Sequence, residues 1–266
     1  MSGRFVDRSC LVTGSTGMAA SAARALAAEG GRVFVISRNP DHARALADEI
    51  TGFGGRAAWH AAELSDEAEV QAAVDAFTSA FGRLDAVYNV AGISGRRFGD
   101  GPAHEATLEG WETVLRTNAT STFLVCRAAI RRMLDQDPLA DDARGAILNM
   151  SSALAHHPSP THFGTHAYAA SKGAIEAFTR SLAATYAPHG IRVNAIAPAL
   201  VATPMSRRAQ DDPDIQAYLE QKQPLARGPI EADDITPTAL HLLSADARMV
   251  TGQVIAVDAG WGLSEG

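Results

Sequence analysis

Short apolar, β-branched runs alternate along the chain with longer segments whose apolar residues recur every three or four positions. CLVTG, RVFVIS, RAAWHA, LDAVYNVAG, GAILNMSS, IRVNAIAP and QVIAVDAG read as seven strands. Between them, MAASAARALAAEG, PDHARALADEI, DEAEVQAAVDAFTSAFG, TLEGWETVLRTNATSTFLVCRAAIRRML and YAASKGAIEAFTRSLAATYA read as helices, as does a helix-prone stretch before the last strand. Strands separated by helices predict an α/β fold with a mostly parallel, doubly wound sheet and helices on both faces. Strands covered on both faces read as unbroken apolar runs, and these do. Three segments depart from the pattern: a Gly- and Arg-rich loop at 93–106, an acidic turn at 134–145 that reads as solvated, and a connection at 198–230. The last is long for a plain link and reads as a substrate loop or lid. No repeat, low-complexity tract or linker divides the chain, so residues 1–266 are expected to form a single domain.

The formal charge of −7 leaves no basic stripe for nucleic acid and no polybasic segment for an anionic membrane, so small molecules are the expected ligands. No transmembrane-length apolar run and no signal-peptide pattern is present, and a cytoplasmic protein is expected. Cys10 and Cys126 each sit in an apolar stretch and read as reduced core thiols.

Gly14 and Gly17 lie between the first strand and its helix, where a phosphate can meet free backbone N–H groups with no side chain in the way. Two glycines alone also suit a plain turn; their place directly after the first strand favours a dinucleotide. The second strand ends at Ser37 and Arg38, where an NAD site commonly has an acid. A guanidinium attracts a 2′-phosphate, so NADP(H) is expected over NAD(H), with a solvated surface Arg as the alternative.

TGSTG (13–17), NVAG (89–92), Asn118, Ser152, YAASK (168–172) and PALVAT (198–203) follow one another in a specific order and spacing. With them, the chain from about Ser9 to Trp261 resembles the short-chain dehydrogenase/reductase family in its single-domain form. The resemblance implies a Rossmann fold and an NAD(P)-dependent oxidoreductase acting on a ketone, aldehyde or secondary alcohol. It also implies a homotetramer or homodimer with contacts on the long fourth and fifth helices. It places the cofactor against Gly14, Ser15, Thr16, Gly17 and Met18, against Ser37 and Arg38, and against Glu63 and Leu64. Asn89, Ala91 and Gly92, then Tyr168 and Lys172, then Pro198, Val201 and Thr203 complete that set. The chain departs from the pattern in several places. Only two residues separate Gly14 and Gly17, as in larger, extended family members, and Ala19 or Ala20 replaces the third glycine. Glu63 stands where an Asp is common, Ala199 replaces a glycine, and the segment from Ser152 to Tyr168 is longer than usual.

Tyr168 and Lys172 are four apart and share one helix face, and Lys172 is one of two lysines in a chain that otherwise uses arginine. A phenol poised near neutrality must be lowered by about three units, roughly 4 kcal/mol. A positive charge about 4 Å away supplies roughly that much only at an effective dielectric near 20, so the pair needs a partly dry site. By resemblance Lys172 also bonds the nicotinamide ribose. Ser152 ends the fifth strand, where its hydroxyl can hold the substrate oxygen; Ser151 is disfavoured by register. Asn118 falls inside a helical pattern that disfavours its residue type. By resemblance it holds a water in a proton relay, and a cap or kink of the helix is the alternative. Asn118, Ser152, Tyr168 and Lys172 are thus the expected catalytic set for hydride transfer, with Tyr168 as acid/base. A catalytically idle dinucleotide-binding regulator on the same scaffold is the competing reading.

His156, His157, His162 and His166 crowd the segment before Tyr168, but no Cys or ordered carboxylate pattern completes a metal set, and they read as lining the substrate entrance. Arg96, Arg97, His104, Met205, Arg207 and Arg208 sit in pocket-forming loops and hint at a polar or anionic substrate, with solvated arginines as the alternative.

Overall fold

A computed structural model describes residues 3–139 and 141–264, so both ends of the 1–266 span and Ala140 of the acidic turn lie outside the described residues. Strands β1 (Ser9–Thr13), β2 (Arg32–Ser37), β3 (Arg56–Ala61), β4 (Ala86–Asn89), β5 (Gly145–Met150), β6 (Ile191–Pro198) and β7 (Val254–Val257) form one sheet. Its order is β3-β2-β1-β4-β5-β6-β7 and every pair is parallel. The helices are α1 (Gly17–Ala28), α2 (Pro40–Gly52), α3 (Glu67–Phe81), α4 (Leu108–Leu115) and α5 (Ser121–Asp135), followed by α6 (Pro160–Phe163), α7 (His166–Tyr186), α8 (Arg207–Asp211), α9 (Pro213–Lys222) and α10 (Ala232–Leu243).

Successive strand side chains point to opposite faces, which splits the apolar runs between two cores. Val12, Val35, Tyr88 and Leu148 pack with Leu26 of α1, Leu46 of α2 and Leu240 of α10. Leu11, Phe34, Val87 and Ile147 pack with Phe77 of α3, Val125 of α5 and Ala183 of α7. Cys10 lies in the first core and Cys126 in the second, both free and buried, and burial pushes the Cys126 thiol up to about 12. Asn39, Asp66, Thr107 and Asp212 cap α2, α3, α4 and α9 through their side chains, as their residue types favour. Leu108 and Trp111 of α4 and Phe123 of α5 are exposed. Among the described residues no helix is long and apolar enough to cross a membrane.

The segments outside the simple pattern are ordered by long-range contacts. The 107–134 pattern is not one regular helix: a π-helical turn, Arg116–Thr120, joins α4 to α5. Asn118 sits in that turn, accepting from the Ile93 N–H (2.8 Å) and donating to the Ile93 carbonyl (3.0 Å) and the Ser171 hydroxyl (3.0 Å). Such turns gather at functional sites. Residues 198–230 are not an open loop either. They hold α8 and α9, packed with Ala153 and Trp261 in a small third core. The buried Gln223 side chain ties them down by accepting from the Leu200 N–H (2.7 Å) and donating to the Gly228 carbonyl (2.6 Å).

The 93–106 loop reaches α7. Thr165 at the start of that helix makes no side-chain cap. The buried Asp100 carboxylate instead accepts from the Ala167 N–H (3.0 Å) and the Tyr168 N–H (2.9 Å), and its charge suits a helix N-terminus. Asp100→Ala is expected to cost about 1–2 kcal/mol of unfolding free energy, and Asp100→Asn less, because its amide oxygen still accepts. Chemical denaturation giving equal stability for all three proteins contradicts this cap.

Candidate active site

Strands β1 and β4 are neighbours whose connecting helices leave to opposite faces, and a crevice opens at their C-terminal ends. Two backbone features shape its floor. Gly14 has φ +96°, and Gly17 has φ +53° with space for a Cβ only 2.8 Å from Thr203 Cγ2. Helix α1 begins at Gly17, and the Thr16 side chain before it makes no cap, so the first-turn N–H groups stay available to an anion. The Thr13 hydroxyl accepts from Val90 N–H (3.0 Å) and Ala91 N–H (3.2 Å) and fixes the loop after β4 beside the glycine loop. The shortened glycine spacing therefore still delivers an open helix N-terminus.

The resulting cleft, with about 1110 Å³ of free volume, is lined by Gly14, Ser15, Thr16 and Met18, then by Ser37, Arg38, Glu63 and Leu64, then by Ala91, Gly92 and Thr203. Ser15 donates to Ser37 (2.9 Å) across the two strand ends. The Arg38 side chain is 68% exposed and lies 3.5 Å from Glu63, whose carboxylate also accepts from Ser65. These groups fit a dinucleotide: an open helix end for the pyrophosphate, glycines that let it approach, and polar groups at the end of β2 for the ribose. The buried Asn89 amide donates to Asn149 (2.9 Å) and Cys126 (3.3 Å) inside the sheet, so its side chain braces β4 against β5.

A second pocket, with about 1030 Å³ of free volume, adjoins the first at Met18 and Gly92. Ser152, Tyr168 and Lys172 all line it, together with Pro198, Val201 and Thr203. Lys172 is buried, its Nζ 5.6 Å from the centre of the Tyr168 ring and donating to the Met150 carbonyl at 2.8 Å. Burial lowers this ammonium from the ordinary 10.5 to about 8. Tyr168 is half-buried at the solvent side. Burial raises its phenol above the usual value, opposed by a hydrogen bond with Ser152. The sequence led us to expect a lowered phenol. The difference arises because removal from water dominates the phenol.

Ser152 accepts from the Leu154 N–H (3.2 Å) at the start of a 3₁₀ turn, while Ser151 donates to the buried Glu176 carboxylate (2.7 Å) and belongs to the scaffold. Both amide protons of Asn118 are committed, to Ile93 and Ser171, so its side chain braces the pocket wall at Ile93. Asp100 and Glu176 were missed from the sequence because no local spacing links them to α7 or Ser151.

None of the four histidines lines either pocket, but the His162 carbonyl accepts from Arg96 and Arg208, two residues that line the second. His156 and His157 pack ring to ring at 4.8 Å, with His156 3.3 Å from Glu176, and the His162 ring lies 4.9 Å from Tyr218. Among the described residues no cluster of three or more His, Cys, Asp or Glu side chains is placed to hold a metal ion. Arg96, Met205 and Arg208 do line the second pocket. Arg97 stacks on Phe98 at 4.9 Å instead, and His104 and Arg207 are exposed outside it.

A family profile described as enoyl-(acyl carrier protein) reductase matches residues 12–262. The chain is 35% identical to D-threitol dehydrogenase of Mycolicibacterium smegmatis over 97% of its own length and 94% of the relative's. It is 39% identical to inactive 2-(S)-hydroxypropyl-CoM dehydrogenase 2 of Xanthobacter autotrophicus, over 90% of this chain and 98% of the relative. A short-chain type dehydrogenase/reductase from Mycobacterium ulcerans superposes with a TM-score of 0.88 at 31% identity, covering 98% of this chain and 92% of that one. With the Rossmann sheet, the open glycine loop and the Tyr168–Lys172 pair facing one pocket, these matches establish that the chain belongs to the short-chain dehydrogenase/reductase family, the NAD(P)-dependent oxidoreductases of CH–OH and C=O groups.

Proposed function

We propose that residues 1–266 act as one catalytic unit that interconverts a carbonyl and a secondary alcohol of a small molecule, using NADP(H), with residues 198–230 as a wall of the substrate pocket. The observation that carries this reading is the convergence of Ser152, Tyr168 and Lys172 on one pocket that opens, at Met18 and Gly92, into the dinucleotide cleft. The same convergence argues against an idle regulator. A nicotinamide dinucleotide, when bound, supplies or accepts the hydride. Lys172 and the Thr203 region would hold its nicotinamide half, and the α1 N-terminus its pyrophosphate.

In the reducing direction the Tyr168 phenol gives its proton to the substrate oxygen, and the Ser152 hydroxyl donates to that same oxygen to hold it in place. Lys172, with its ammonium over the ring face, favours the phenolate left behind. Asn118 sets the position of Ile93 and of Ser171, one residue before Lys172. A phenol raised by burial stays protonated at neutral pH, which suits reduction; oxidation needs it deprotonated.

Ketone reduction is therefore expected to be sustained at neutral pH and to fall as pH rises through about 8, where Lys172 begins to lose its proton, with alcohol oxidation favoured at higher pH. Tyr168→Phe is expected to reduce turnover about a thousandfold in both directions while leaving NADPH affinity largely intact, followed by nicotinamide absorbance and fluorescence titration. A variant that keeps most of its rate contradicts the assignment.

NADP(H) preference rests on Arg38 at the end of β2, with the Glu63 carboxylate 3.5 Å away working against it. Arg38→Ser is expected to lower kcat/KM for NADPH about 10- to 100-fold and to affect NADH far less. Equal losses for the two cofactors contradict a role in 2′-phosphate recognition.

A further inference from the structure

Arg96, in a 3₁₀ turn between β4 and α4, and Arg208, on α8, come from distant parts of the chain to the mouth of the substrate pocket. Both donate to one acceptor, the His162 carbonyl, at 2.7 Å and 3.4 Å. Among the described residues neither forms a salt bridge. What distinguishes the pair is that two cations from distant parts of the chain share one neutral acceptor at a pocket. Asp100 acts on Arg96 through space, but its oxygens are bonded to the N-terminus of α7. Partial burial, and then the nearby Arg208 charge, lower the proton affinity of Arg96.

The segment bearing the shared carbonyl packs on α9 and Trp261. The His162 ring lies 4.9 Å from Tyr218, Phe163 packs on Trp261 at 5.8 Å, and Tyr218 packs on Trp261 at 5.8 Å. Ser159 bonds the Tyr218 hydroxyl at 3.0 Å. The extra length between Ser152 and Tyr168 is thus used to dock a short segment on α9 and present one carbonyl to two guanidiniums. A carbonyl carries a partial charge and leaves most of the donors of both planar forks for a partner with charge-matched oxygens. Leu154, Phe163, Leu200 and Trp261 give the same pocket apolar lining.

Resting on the carbonyl/alcohol reading of the same pocket, we infer that Arg96 and Arg208 form an anion subsite, and that the substrate joins its reacting carbon through a hydrocarbon spacer to a carboxylate, sulfonate or phosphate. Both side chains are exposed, so the anion engages them at the pocket mouth while its spacer enters the apolar part, and the attraction weakens with added salt.

The test compares wild type with the Arg96→Gln/Arg208→Gln double variant on 7-oxooctanoate and its methyl ester, which differ in the terminal charge. In wild type the acid is expected to exceed the ester at least tenfold in kcat/KM, with the ratio falling toward parity in the double variant. The ester serves as internal reference for any general loss of activity. A wild-type ratio at or below one, or a ratio unchanged in the variant, overturns the subsite. Calorimetric titration with heptanoate, hexanesulfonate and hexyl phosphate at fixed ionic strength reads the same site without turnover and ranks the three anions. At least one is expected to bind wild type tenfold more tightly, and no difference between the proteins for any of them overturns the proposal. Anion discrimination with no ketone turned over sustains the subsite and removes the reductase reading; turnover without anion discrimination does the reverse. Should the double variant not fold, Arg208→Gln alone is titrated, with the same two outcomes.

Discussion

A lysine ammonium buried against a single backbone carbonyl, with no carboxylate paired to it among the described residues, is the constraint around which the rest of the site is arranged. Lowering Lys172 from 10.5 to about 8 corresponds to roughly 3 kcal/mol set against folding at neutral pH, a sizeable share of a typical domain's margin. Several features keep the group in place. Strand β5 ends so that the Met150 carbonyl faces α7, and Asp100 fixes the first turn of α7. Gly92 leaves room beside it: a Cβ there would lie 2.9 Å from Asn118 Oδ1 and 3.8 Å from Lys172 Nζ. A scaffold that accepts such a cost obtains a cation in a dry pocket beside a phenol, where charge interactions are several times stronger than in water.

The sheet and the two cores were legible in the sequence because a strand covered on both faces has no polar alternation to disguise it. Leu11, Phe34 and Ile147 can be assigned to a buried strand without knowing which face each covers. The Tyr168–Lys172 pair was legible because helical spacing alone brings the two side chains to one face. Local spacing does not reveal a partner far along the chain. Asn118 marked an irregularity, but the π-helical turn follows from its bonds to Ile93 and Ser171. Asn89 belongs to a motif beside the cleft, and only its pairing with Asn149 across the sheet turns its side chain inward. The direction of the phenol's shift was missed for the same reason, since it depends on how far packing removes the ring from water.

The scaffold and the specificity elements are separate. The dinucleotide cleft is made by strand ends and helix α1, which the family pattern constrains. The outer wall of the substrate pocket is made by 153–165, α8, α9 and the turn at Trp261, joined through a small aromatic core of its own.

The claim that a buried, uncompensated ammonium underlies the site is tested most directly by the pH dependence of unfolding free energy for wild type and Lys172→Met. The native state holds fewer protons on this lysine than the unfolded chain between about pH 8 and 10.5, so its cost is fully present below about pH 8 and is relieved as pH rises to 10.5. The stability of the variant relative to wild type should therefore be greatest at or below pH 8 and decline by about 3 kcal/mol across that window. A difference that does not change with pH contradicts the account.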